Sequence, residues 1–257
     1  MSDHQKNNNI NELGTTLLHI ALLLMASGAS SERVRNTVDR ISNAFGYTTY
    51  MLISQRTLLL SVYNDAGECI FNSLKRTSAH GINFKMVSGI SRMSWLVVEE
   101  KWTIEKIKED IARLCALPHY PRMVVLLLTA LAGSSFCRLA GGSALDMAMV
   151  FAGTMAGLFI RQEAAKKRFN PYMCVYFAAL TSSLIVGSLV KLDHQVNHEF
   201  AFATSVLFLI PGVPLINAFS DMIDGNLQNG IIRGLNGFII SFAIALGLLT
   251  SMAIYRF

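Results

Sequence analysis

From Tyr172 to Val190 the chain runs without one charged residue. As a helix rising 1.5 Å per residue, this segment is about 28 Å long, close to the ~30 Å hydrocarbon core of a bilayer. A water-soluble bundle would need polar residues on the outer face of such a helix, and none are there. The sequence therefore predicts an α-helical integral membrane protein, and the remaining apolar stretches are read in that light.

Four further apolar segments follow the same rule. Met123–Leu139 has one arginine, Arg138, near its end, and Leu145–Ile160 carries Gly153 and Gly157 at a spacing that lets helices approach closely. Phe200–Phe219 is interrupted by Pro211-Gly212-Val213-Pro214, and Ile231–Tyr255 has Arg233 near its start. The expectation is about five transmembrane helices near 123–139, 145–160, 172–190, 200–219 (broken at 211–214) and 231–255. Together they form a transmembrane domain over 123–257.

Charge divides the chain in the same place. Residues 1–122 hold 14 Lys and Arg with 11 Asp and Glu, against 8 and 6 in 123–257. Pro118 and Pro121 end a helical pattern at the junction. Before it, Leu13, Leu17, Ile20 and Leu24 share one helical face, and Val34, Val38, Ile41 and Phe45 share another behind a cap at Ser30 or Ser31. The β-forming runs Thr48–Ser54, Thr57–Tyr63 and Glu68–Ser73 read as an antiparallel meander. A short strand Ile82–Met86, a helix Ser88–Glu99 and a helix capped by Thr103 complete an N-terminal α+β domain over 1–122. The polar start MSDHQKNNNI has no signal-peptide character, so this domain is expected in the cytosol.

Orientation follows from the positive-inside rule. Arg161, Lys166, Lys167 and Arg168 crowd the connection between the second and third helices, against Arg138, Lys191 and Arg256 on the other side. The C-terminus is then expected on the periplasmic or extracellular side. The net charge of +5 does not imply nucleic acid, because the basic residues form no stripe with interleaved aromatics.

Little points to an enzyme. His80 stands beside a glycine with no nucleophile or orienting carboxylate at a recognisable spacing. Phosphate-loop and dinucleotide fingerprints are absent, and Cys69, Cys115, Cys137 and Cys174 are isolated. His194 and His198 are four apart and would meet a metal if helical, but without an HExxH motif they predict no metal centre. No cofactor is expected.

The polar residues inside the apolar half carry the functional expectation, since burying them in a membrane is costly. Pro211 and Pro214 remove two backbone donors and Gly212 adds freedom, so the fourth helix is predicted to break. Two readings stay open for that break: a structural kink, or a discontinuous helix whose exposed ends hold an ion or substrate. Asn217 and Asp221, four residues apart, share a helical face beyond it, whereas Asp224 lies nearer the loop. Gly225 and Gly230 bracket the next turn, and Arg233 is placed to pair with Asp221, with a substrate carboxylate, or with nothing as a topology anchor. Arg138 and Asp146 are secondary candidates flanking the first hairpin.

These pieces resemble the threonine/serine exporter family. The resemblance rests on GASSERVRNTVDRISNAFG (Gly28 to Gly46), HGINF (His80 to Phe84), YPR (Tyr120 to Arg122) and PG-x-P-x-x-N-x-x-x-D-x-x-x-G-x-x-x-x-G-x-x-R from Pro211 to Arg233. It implies export across the bacterial inner membrane, with Pro211, Gly212, Asn217, Asp221, Gly225, Gly230 and Arg233 as motif positions. Fused members carry about ten crossings. With about five, the chain looks like the larger subunit of the split form, which implies a small integral membrane subunit as partner. The substrate so implied is a small carboxylate such as succinate, or an amino acid such as threonine or serine; a higher oligomer is left open. A membrane-anchored sensor whose cytosolic domain binds a partner is the competing expectation.

Overall fold

The computed structural model describes residues 3–54, 56–77, 81–118, 120–192 and 199–256, with the backbone alone for 3–8 and 189–192. The chain forms two compact units. One comprises Met1–Pro118 with Val213–Gly234, the other His119–Gly212 with Leu235–Phe257.

The first unit is built around α1 (Asp3–Ala26), which is apolar enough over Asn9–Ala26 to satisfy the length and hydropathy of a span. Its neighbours explain that composition differently. Leu13, Leu17, Leu18, Ile20, Leu24 and Met25 all lie in the unit's core, and a helix apolar on most sides is what a central core position requires. Over the helix lies an antiparallel sheet in the order β1 (Thr48–Ile53), β2 (Thr57–Tyr63), β3 (Cys69–Arg76). Thr48 pairs with Tyr63, and Leu60 of the central strand pairs with Ser73. Leu58, Leu60 and Val62 alternate inward. At Gly14 a Cβ would stand 2.4 Å from the Phe71 ring, so only glycine lets α1 lie this close to the sheet.

Three more helices close the core. In α2 (Ser31–Ala44) the Ser30 hydroxyl accepts from Arg33 N at 3.3 Å, and Val34, Val38 and Ile41 point inward. α3 (Phe84–Glu100) replaces the expected strand Ile82–Met86. The Asn83 side chain accepts from Met86 N at 3.1 Å and so starts a helix where the apolar residues alone suggested a strand. Just before it, Gly81 N and Asn83 N donate to the carbonyls of Ala26 and Ser27, tying the α3 entry to the end of α1. α4 (Ile104–Cys115), capped by Thr103, buries Ile107, Ile111 and Leu114.

The second unit packs α5 (Arg122–Leu139), α6 (Ala144–Lys166), α7 (Pro171–Leu192) and α8 (Glu199–Thr204) with Leu235–Tyr255, the larger part of α10 (Leu227–Tyr255). Small residues set the approach of α6 to α7. A Cβ on Gly153 would stand 2.9 Å from the Ser182 carbonyl oxygen, and one on Gly157 2.7 Å from that of Ala178. The outward faces are apolar: Leu128 is 61% exposed and Phe238 66%. A surface of that kind is stable against lipid tails and not against water. Several polar side chains here find partners within the unit, as where Ser182 donates to the Ser205 carbonyl at 2.7 Å and Tyr172 to Asn236 at 2.6 Å. The chain is thus mostly helical, with several helices suited to crossing a membrane: α5, α6, α7 and α10 qualify singly.

Some boundaries differ from the expected ones. α6 continues past Ile160 to Lys166, because Arg161 to Lys166 form good helix and Arg122 ties their end down, meeting Gln162 at 2.6 Å and Glu163 at 2.5 Å. The expected fourth helix is two pieces. A short 3₁₀ turn, Leu207–Leu209, follows α8, and α9 (Gly212–Ile223) begins after Pro211. Pro214 does not contribute to that break. It occupies the first turn of α9, where no helical partner awaits its missing N–H.

Candidate functional site

Val213–Gly234, which the sequence places among the membrane helices, belongs in the structure to the unit of the N-terminal residues. The reason lies in a helical hairpin, α9 turning into α10. Gly225, at φ +81°, ends α9 with paired closing bonds, from Gly225 N to Met222 O at 3.2 Å and from Asn226 N to Asp221 O at 2.7 Å. The return helix then presses on α9 at Gly230, where a Cβ would stand 2.4 Å from the Met222 side chain and 2.8 Å from the Ala218 carbonyl oxygen. The two motif glycines therefore have separate duties, one in the turn and one in the contact. Because the turn closes so quickly, α10 starts at Leu227 rather than near Ile231, and Arg233 sits inside it.

The hairpin turns its polar residues onto the α1–α2 turn. Asn217 Nδ2 donates to Gly28 O at 2.8 Å, and Arg233 Nη2 donates to Ala29 O at 3.2 Å. Ser31 N donates to Asp221 Oδ1 at 2.9 Å. Asn229 Nδ2 reaches Ser31 Oγ at 3.3 Å and Ile53 O at 2.8 Å, and Arg35 donates to Asn226 Oδ1 at 3.3 Å. Gly28 makes the turn possible, with φ at +87° and a Cβ position only 3.3 Å from the Gly81 carbonyl oxygen.

At the centre, Asp221 Oδ2 faces Arg233 Nη1 at 3.1 Å. The pair is close, but the N–H is not aimed along a hydrogen bond. Asp221 is fully buried and the Arg233 side chain is 17% exposed. Ser31 is the first residue of α2, so the Asp221 carboxylate takes an amide that has no partner within the helix and lies at the positive end of its dipole. Ser30 serves the Arg33 amide of the same first turn, Asp221 the Ser31 amide. The carboxylate is thus neutralised from two sides, by a guanidinium and by a helix end, in a place water does not reach.

α9 is amphipathic in the reverse of the soluble sense. Ala218 and Asp221 are buried while Ile216, Phe219 and Ile223 are exposed, the last at 84%. A helix with its charge inside and its aliphatic and aromatic side chains outside suits an apolar surrounding.

The structure thus brings together Asn217, Asp221 and Arg233, with Gly225 and Gly230 shaping the hairpin that carries them. Pro211 marks the break and Gly212 has no atom within 4 Å of a Cβ position. Arg138 and Asp146 do separate local work: Arg138 Nη1 donates to Gly142 O at 3.2 Å, and Asp146 forms a capping box with Ser143 at the start of α6. Among the described residues no group of His, Cys, Asp and Glu could hold a metal. His80, His194 and His198 lie outside the described residues. Sequence reasoning missed Asn229, four residues before Arg233 and on its face, and missed that the Gly28–Ser31 turn would supply backbone partners.

The motif from Pro211 to Arg233 therefore meets the motif from Gly28 in one closed arrangement. The family model described as "Putative threonine/serine exporter" matches residues 15–255, which spans both. The chain belongs to the threonine/serine exporter family. Two curated relatives are both called "Probable succinate transporter subunit YjjP". The Klebsiella aerogenes protein is 26% identical over 240 residues, covering 93% of this chain and 92% of its own length. The Escherichia coli K12 protein is 27% identical over 240 residues, covering 93% of each. No solved structure gives a significant match. Family membership thus extends through the N-terminal unit as well as the apolar helices, in keeping with a site assembled from both ends of the sequence.

Proposed function

We propose that this chain is a subunit of a secondary transporter that exports small carboxylates, succinate-like dicarboxylates or the amino acids threonine and serine, across the bacterial inner membrane. It acts with a small integral membrane subunit that supplies further helices. In this reading 1–122 is a cytosolic domain, 123–257 is the transmembrane domain, and the C-terminus lies on the periplasmic side. Family membership and the relatives named as transporter subunits support it, and they favour transport over catalysis. The observation that carries it is the buried Asp221–Arg233 pair, whose carboxylate sits on a helix, α9, that follows a break and exposes an apolar face.

The chemistry follows from that pair. Arg233 presents a guanidinium suited to a carboxylate, and Asp221 occupies it in the closed state. A proton on Asp221 cancels the attraction and frees Arg233 for a substrate carboxylate, while Asn217 gives up Gly28 and offers its amide. Loss of the proton on the other side restores the internal pair and expels the substrate. Alternating access then consists of exchanging one carboxylate for another at a fixed arginine.

The test is efflux of succinate and of threonine from cells making the chain with and without its small membrane partner. Equal efflux of both compounds in all cases overturns the proposal. In reconstituted vesicles, Asp221→Asn is expected to lose the pH dependence of export, and wild-type rates at every pH would remove the proton role.

A membrane-anchored sensor is the second reading. It is favoured by the grip of α9 and α10 on the α1–α2 turn, since this connects the N-terminal residues to the hairpin. Succinate flux through purified chain and partner in liposomes would dismiss it.

A further inference from the structure

On the first unit, away from the hairpin, α1 and α4 leave a groove of about 560 Å³, within the range of small-molecule sites. His19 and Leu22 line it from α1, Lys108, Ile111 and Cys115 from α4, and Lys75 closes it from the end of β3. Its wall is mainly apolar, and its charged groups are cationic. Lys108 is already engaged, paired with Glu12. Lys75 has no acidic partner among the described residues, and partial burial, followed by the charge of Lys75, lowers the pKa of His19 below the ordinary imidazole range. At neutral pH the groove therefore offers one available ammonium, one uncharged imidazole with an N–H to donate, and an apolar floor.

We propose that this groove is a binding site for a carboxylate that carries an apolar body, with the carboxylate on Lys75 and His19 and the body against Leu22 and Ile111. One available cation fits a single negative charge. A free phosphate or a bare small anion would leave the floor uncovered, and an uncharged apolar molecule would leave Lys75 unanswered. The site is independent of the transport reading and of Asp221.

Cys115 makes it testable in the full-length protein. Its thiol is exposed in the groove, and Cys69, also exposed, stands at the opposite end of β3 from Lys75, about 20 Å away at ~3.3 Å per residue. The rate of maleimide labelling at each cysteine is followed by peptide mass spectrometry, with benzoate, benzamide, acetate and inorganic phosphate as probes. Benzoate at twice its dissociation constant is expected to slow Cys115 about threefold and leave Cys69 unchanged. Benzamide, acetate and phosphate should leave both rates unchanged, and Lys75→Glu, a substitution on an exposed residue, should abolish the benzoate effect. The proposal is overturned if benzoate has no effect, if it slows Cys69 equally, if benzamide, acetate or phosphate matches it, or if protection survives in Lys75→Glu.

Discussion

Of the helix pairs in this molecule that rely on glycine for close approach, α6 with α7 and α9 with α10 contrast most in what surrounds the glycine. Between α6 and α7, Gly153 and Gly157 admit the backbone of the facing helix, and the side chains around them are small or apolar. Between α9 and α10, Gly230 does the same, but the contact surrounds a buried carboxylate and guanidinium. The first pair can be stable through packing alone. The second carries a desolvation cost that packing does not need, so replacing both charges by apolar side chains of similar volume should cost the fold little. That asymmetry is the reason the proposed transport chemistry is put at the hairpin and not at an apolar crossing.

The sharpest way to break the comparison is to remove one charge. Asp221→Ala leaves Arg233 buried without its carboxylate and Ser31 N without its acceptor, at a cost of about 3–5 kcal/mol. Thermal unfolding of the purified protein should show the loss, and export should fall with it. The double replacement Asp221→Leu with Arg233→Met is expected to recover most of the stability and none of the export. If export also recovers, the pair is only structural.

The apolar half was readable in the sequence because each span is a continuous physical requirement: Tyr172–Val190 needs only length and the absence of charge. The shared face of Asn217 and Asp221 was readable for a similar reason, since helical spacing places residues four apart together. Their partners were not. Gly28 O, Ala29 O and Ser31 N are backbone atoms, two acceptors and a donor, and such a partner leaves no trace in residue identity at separations of 189 to 204 positions. The strand expected at Ile82–Met86 was lost to a single side chain, Asn83, whose cap outweighs the β-forming character of its neighbours. At the break, two prolines looked equivalent, yet only Pro211 interrupts; the first turn of a helix accepts Pro214 without penalty.

A second way to sharpen the comparison treats both glycine contacts alike. Gly157→Val drives side-chain atoms into the Ala178 carbonyl, and Gly230→Val into Met222 and the Ala218 carbonyl. Each should destabilise by about 1–3 kcal/mol, measured by unfolding in matched detergent. The difference should appear in the ion pair. Gly157→Val leaves Asp221 and Arg233 in place, whereas Gly230→Val pushes α10 off α9 and should reduce export by more than its stability cost explains. Equal export losses at equal stability would erase the distinction between the two pairs.

Gly225→Ala tests the turn rather than the contact. With φ at +81° and open space around the Cβ position, the expected cost is backbone strain alone, about 1–2 kcal/mol. Asn at the same position tolerates left-handed geometry better, so Gly225→Asn should recover part of it. If Ala and Asn behave identically, the turn is not what holds this position.

Gly212 gives the smallest expected effect and the most informative one. It belongs to the same motif as Gly225 and Gly230, yet its φ is not in the left-handed region and nothing stands within 4 Å of a Cβ position there. Gly212→Ala should therefore change stability by less than about 0.5 kcal/mol. Export is the second readout. If it is unchanged, the motif position tolerates a methyl in every state the protein visits. If it falls while stability holds, Gly212 is required in a conformation other than the closed one, where the break at Pro211 swings or a partner helix comes against it. The comparison between packing glycines and functional glycines would then run through a single motif, with Gly230 on one side and Gly212 on the other.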